Sequence, residues 1–256
     1  MLRPELRVLL IGLTLALVGC ESTGGARRDA DSPNAIAAAN QVQMGRAYMQ
    51  RGQLQIALER LTKALELDPR STDAHTVIAV LYEEIRRPER AETHYLRAVE
   101  LKPDDGSVNN NYGQFLCRSG RFADADARFA KAIDDPFYQT PVVAYTNGGV
   151  CAMKAGDLVA AERYLRGALE IEPASPEVLL DLARLQHSKG ELLRARAFLQ
   201  RHEAVSAARP DALELGIAIE TGLGNAEATD RYRARLRSEF PDHEAAPTLQ
   251  GEPAIQ

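Results

Sequence analysis

The sequence predicts an all-α solenoid, a superhelix of about six helix-turn-helix units. Three observations carry that expectation. Residues of matching size recur at a period close to 34, glycines and prolines punctuate each period, and Ala, Leu, Arg and Glu dominate a chain without tryptophan. At 256 residues, 45% hydrophobic and 26% charged, the chain has the balance of an ordinary soluble repeat array.

The columns are explicit. Small residues stand at Gly45, Ala79, Gly113, Gly149 and Ala183, with steps of 34, 34, 36 and 34. Ala57, Ala91, Ala125, Ala161 and Ala195 keep the same steps, as do the larger Leu61, Tyr95, Phe129, Leu165 and Leu199. Ala64, Ala98, Ala132 and Ala168 form a fourth column. Small residues let two helices cross at the near end of the usual 8–10 Å range, and a large residue fills the groove beside them. Gly52, Gly120, Gly156, Gly190 and Gly224 supply turns in mid-unit, and Pro69, Pro103, Pro173 and Pro241 close units. The units fall near 38–71, 72–105, 106–141, 142–175, 176–209 and 210–243. The last reads as degenerate: Ile217 and Thr229 stand where small residues are expected, and Arg233 where a large apolar one is. A polar terminal cap accounts for that departure.

The unit endings Leu65-Glu66-Leu67-Asp68-Pro69 and Val99-Glu100-Leu101-Lys102-Pro103 resemble those of the tetratricopeptide repeat (TPR) family. Stacked pairs of this kind curve into a superhelix whose concave face is lined by the first helices. In that register the face takes Val42, Arg46 and Met49 from the first unit, and Asp73, Thr76, Val80 and Glu83 from the second. The third unit offers Asn110, Asn111 and Gln114, and the fourth Thr146, Asn147 and Val150. Asparagine is a poor helix former, so Asn109-Asn110-Asn111 points either to a helix cap or to amides that bond a peptide backbone.

The N-terminus reads as an address. Arg3 and Arg7 precede the apolar run Val8–Val18, which is too short to cross a bilayer and has the form of a secretory signal over residues 1–19. Leu17-Val18-Gly19-Cys20 resembles a lipobox, which implies cleavage before Cys20 and acylation of its thiol. Glu21 in the next position, in place of aspartate, implies delivery to the outer membrane. Residues 20–36 are expected to form a lipidated flexible tether, 37–243 the array, and 244–256 a polar tail.

Some function classes are disfavoured. Net charge is −5, and −6 once residues 1–19 are removed with Arg3, Arg7 and Glu5, a surface that repels phosphate backbones. Nucleic-acid binding is therefore not expected. The five histidines show no short metal-binding spacing, and no P-loop, GxSxG or HExxH motif occurs. His75 occupies a packing position, and Glu83-Glu84 and Asp134-Asp135 read as solvated charge. The expectation is a non-enzyme with no cofactor, metal or small-molecule substrate, whose partner is another protein.

Cys117 and Cys151 lie 34 residues apart, near the ends of first helices in adjacent units. Export to an oxidising compartment favours a disulfide; the alternative is two buried free thiols.

A narrower resemblance covers nearly the whole chain. Asn109-Asn110-Asn111-Tyr112-Gly113-Gln114-Phe115-Leu116-Cys117 is similar to a stretch of the type IV pilus biogenesis lipoproteins, the PilF/PilW pilotin family. So is Asp135-Pro136-Phe137-Tyr138 through Pro141, followed by Asn147, Gly149 and Cys151, a stretch that also holds the two residues interrupting the 34-residue period. Gln114 departs from the pattern where an aromatic is common. The resemblance implies an outer-membrane lipoprotein facing the periplasm that helps the pilus secretin reach the membrane and assemble, and in some members the paired cysteines form a disulfide. A general periplasmic scaffold for cell-wall or outer-membrane protein assembly is the alternative.

Overall fold

A computed structural model describes residues 32–243, which form twelve α-helices and no strand. The helices pair in chain order: α1 (Pro33–Gln50) with α2 (Leu54–Leu67), α3 (Thr72–Glu84) with α4 (Pro88–Leu101), and α5 (Gly106–Arg118) with α6 (Phe122–Asp134). Next come α7 (Pro141–Ala155) with α8 (Leu158–Ile171), α9 (Pro176–Ser188) with α10 (Leu192–Glu203), and α11 (Pro210–Gly222) with α12 (Ala226–Glu239). The signal segment, Cys20 and the 244–256 tail lie outside the described residues.

Local sequence explains the helix starts. Ser32, Ser71, Asp105, Asp157 and Asn225 each accept a hydrogen bond from the backbone amide three residues on, and Pro33, Pro88, Pro141, Pro176 and Pro210 sit in first turns, where no amide partner is lost. The Ser32 cap corrects the expected tether. Residues 33–36 are already helical, because the cap, Pro33 and the following alanine-rich stretch extend α1 upstream of the repeat.

Within each pair the small and large columns interlock. A Cβ on Gly149 would fall 2.6 Å from Leu165 Cγ, so only glycine admits that leucine. Ala57, Leu61, Ala91, Tyr95, Ala125, Phe129, Ala161, Leu165, Ala195 and Leu199 are all buried at these crossings. The sixth pair keeps the same interlock, shifted by one residue. Gly216 packs on Tyr232, where a Cβ would meet the ring at 2.6 Å, and Ala228 is buried beside them. The expected positions Ile217, Thr229 and Arg233 are thus one residue late. α10 stops at Glu203 and the 204–209 linker resets the register, which strict 34-residue counting does not track.

First helices touch one another along the array, α1 to α3, α3 to α5, α5 to α7, α7 to α9 and α9 to α11. Each second helix packs on the first helix of the next pair, whereas successive second helices keep their backbones apart and meet through side-chain tips, as Tyr164 of α8 does with Asp126 of α6. Contact on one side with splaying on the other curves the stack, and the first helices line its inner face.

Candidate functional site

Polar links cross the seams between first helices. Arg46 of α1 pairs with Asp73 of α3. Arg118 of α5 grips Glu83 of α3 with two nitrogens, Nε at 2.9 Å from Oε2 and Nη2 at 2.9 and 2.7 Å from the two oxygens. Glu83 also accepts the Tyr95 hydroxyl at 2.7 Å, and burial together with the Glu83 charge pushes that phenol up. Asn147 of α7 donates to Asn110 of α5 at 2.9 Å. Further along, Arg184 of α9 donates to Asp181 at 2.9 Å and to Asp211 of α11 at 2.5 Å, while burial pushes the Asp181 carboxyl up against the pull of Arg184.

The seam between α5 and α7 also carries a covalent link. Cys117 and Cys151 are joined as a disulfide, with Cα atoms 5.8 Å apart. Position twelve of one repeat faces position ten of the next across this seam, so a pairing that is offset within the repeat is close in space.

These links sort the groove residues expected from the repeat register by availability. Val42, Thr76 and Asn110 are buried and are corrected out of the ligand-facing set. Val42 packs among Ala38, Ala57 and Leu61, the Thr76 hydroxyl donates to Thr72 O at 2.9 Å, and Asn110 is held by Asn147. All three occupy the same repeat position, which lies at the contact of neighbouring first helices and not on the open face. Arg46, Asp73 and Glu83 reach the face with their charges already paired. Met49 is half-buried against the first core cluster. Thr146 shares the repeat position of Val42, Thr76 and Asn110; it is half-buried, and its hydroxyl donates to Val142 O at 2.8 Å. Val80, Asn111, Gln114, Asn147 and Val150 remain at least partly open, with Val80 at 39% exposure.

Asn109 caps nothing, since Asp105 holds the α5 start. Its buried amide donates to Pro103 O at 2.8 Å and Asp105 O at 3.0 Å, pinning the inter-repeat turn. The structure adds Val143, 40% exposed on the first turn of α7. Repeat position nine pairs with position two of the next repeat in Arg46–Asp73 and Arg184–Asp211, and position two of the fourth repeat is Val143, so the register already offered it as an inner-face residue. The centre of the inner face is therefore neutral, with Val80, Val143 and Val150 among amide side chains, and the ion pairs flank it. Among the described residues no group of three or more His, Cys, Asp or Glu is placed to hold a metal, and no helix is long and apolar enough to cross a membrane.

Twelve paired helices with a first-helix inner face define a tetratricopeptide repeat protein, and tetratricopeptide repeat profiles match residues 42–106 and 152–215. The solved structure of PilW, described as a widely conserved type IV pilus biogenesis factor, superposes with a TM-score of 0.76 at 35% identity, covering 81% of this chain and 95% of PilW. The type IV pilus assembly protein PilF of Pseudomonas aeruginosa is 28% identical over 91% of this chain and 93% of its own length, and its solved structure gives a TM-score of 0.73. A protein of Haemophilus influenzae of uncharacterised role is 30% identical over 53% of this chain and 76% of its own length. The chain belongs to the PilF/PilW family of type IV pilus biogenesis TPR proteins.

Proposed function

We propose that the protein is a lipoprotein of the outer membrane, anchored through Cys20 and facing the periplasm, that serves as pilotin for the type IV pilus secretin. The neutral centre of its inner face holds an extended segment of that partner. The observation that carries this reading is the combination of family membership with a first-helix face whose charges are already paired between repeats. Such a face offers amide hydrogen bonds to a peptide backbone and valine contacts to apolar side chains, and little to a strongly charged ligand. Acyl chains contribute about 0.8 kcal/mol per buried methylene, so a multiply acylated Cys20 holds the array at the membrane.

Val80→Asp combined with Val150→Asp tests the groove. Both side chains are partly open, so helix content is retained, and capture of solubilised secretin falls by about tenfold or more, equivalent to about 1.4 kcal/mol. Unchanged capture would place the partner on another face. Cys20→Ala separately tests the anchor: the folded variant leaves the outer-membrane fraction, and its retention there would contradict lipid anchoring.

A further inference from the structure

Because the second helices splay apart, gaps open between them on the outer side of the array, and two of these differ in their chemistry. A cleft of about 340 Å³ lies between α6, α7 and the start of α8. Its floor is apolar, built from Phe122, Phe129, Cys151 and Ala152. Two carboxylates, Asp126 and Asp157, complete its wall. Asp126 accepts the Tyr164 hydroxyl on Oδ1 at 2.6 Å, and Asp157 accepts the Ala160 amide on Oδ1 at 2.9 Å. Each Oδ2 is left over, and neither carboxylate forms an ion pair among the described residues. Arg163, on the same helix as Tyr164, stacks over the Tyr164 ring at 5.0 Å.

The neighbouring gap between α4 and α6 provides the contrast. It is lined by Arg121, Arg128 and Lys131, and these cations are engaged. Arg121 pairs with Glu92 and Asp124, and Arg128 donates to Asn109 and lies over the Tyr112 ring. Lys131 lies 3.9 Å from Asp104. The cations of the α4–α6 gap thus stand against Glu92, Asp124 and Asp104, whereas in the α6–α8 cleft Asp126 and Asp157 have no salt-bridge partner among the described residues and Arg163 is drawn onto Tyr164.

The geometry points to this cleft as a second protein-docking site, distinct from the inner face, that takes an arginine or lysine side chain of a partner segment. The aliphatic stem of such a residue covers the Phe122, Phe129 and Ala152 floor, and its charged head lies against Asp126 and Asp157. The start of α8 carries the equivalent of about half a positive charge, and the full negative charge of Asp157 outweighs it. Val159, two residues beyond Asp157 and 84% exposed, offers an aliphatic ridge for the residue next to the basic one. The ligand class is therefore a basic residue flanked by aliphatic ones. Cys151 in the floor is disulfide-bonded to α5, so the same bond that ties two first helices also fixes one wall of the outer cleft.

The test uses the ¹⁵N-labelled mature chain and three peptides: acetyl-Leu-Arg-Leu-amide and its analogues with citrulline or glutamate in place of arginine. The arginine peptide is expected to shift the amides of Ala152, Ala155 and Ala160, to bind about tenfold more tightly than the citrulline peptide, and to weaken with added salt. In Asp126→Asn combined with Asp157→Asn the two peptides bind alike. Both substitutions spare the fold, because asparagine caps a helix as well as aspartate and still accepts the Tyr164 hydroxyl. Equal binding of the citrulline peptide to the unaltered chain, shifts confined to Val80, Gln114 and Val150, or no shift at millimolar peptide would each overturn the assignment.

Discussion

Arg118 and Glu83, 35 residues apart, form a two-pronged ion pair that bridges α3 and α5 on the inner face, and Glu83 at the same time accepts the Tyr95 hydroxyl from α4. The two partners are not equivalent. The Glu83 side chain is largely buried, whereas Arg118 is half exposed. Glu83→Ala leaves a buried phenol without its acceptor and is expected to lower stability by about 2 kcal/mol. Arg118→Ala costs less than about 1 kcal/mol, because exposed ion pairs contribute little. Equal losses in denaturant titrations of the two variants would contradict the asymmetry.

The Cys117–Cys151 disulfide closes a 34-residue loop between adjacent repeats. On the chain-entropy estimate that constraint is worth about 4 kcal/mol. Cys117→Ser with Cys151→Ser is expected to lower the unfolding midpoint substantially while keeping helical content, since each repeat still packs on its neighbours. A midpoint identical to that of the oxidised wild type would show that the bond does not stabilise the array.

His75 and His94, from the two helices of the second repeat, face each other with Nδ1 atoms 3.0 Å apart, and His94 stacks on Tyr82. With both rings neutral, one nitrogen donates and the other accepts; a proton on the accepting ring makes both donors. Burial first, and His75 second, lower the His94 pKa to about 4, and burial also lowers that of His75. The unfolded chain therefore takes up protons first as pH falls below about 6.5. Stability is full above that value and declines as pH falls toward 4. His94→Gln is expected to flatten the decline in thermal midpoint between these values, and an unchanged slope would assign it to other groups.

Much of the fold is legible in the sequence, and the reasons are physical. The Gly149–Leu165 interlock leaves a periodic trace because a methyl group at that glycine has no room, so the columns report helix crossings directly. Burial of Val42, Thr76 and Asn110 is not legible, because one repeat position can face either a groove or the neighbouring first helix, and only curvature decides. The His75–His94 contact joins residues 19 apart on two helices, a spacing without a sequence signature. The one-residue slip at Gly216 and Tyr232 arises in a linker whose length periodicity does not constrain.

One turn departs from its counterparts. Gly52, Gly120, Gly156, Gly190 and Gly224 all adopt positive φ, and in the second repeat Arg86 takes that place with φ of 56°. A left-handed conformation costs a non-glycine residue about 1 kcal/mol, partly offset by the greater unfolded-state freedom of glycine. Arg86→Gly is expected to raise stability by up to about 1 kcal/mol, read as a small rise in thermal midpoint; a fall would mean that the Arg86 side chain stabilises the turn.

The pilotin role is tested most directly by deleting the gene in its own strain and measuring ring-sized secretin multimers in the outer-membrane fraction. The multimers are expected to disappear from that fraction and to return when the wild-type chain is restored, but not when Cys20→Ala is supplied. Normal secretin rings in the deletion strain would contradict the pilotin role.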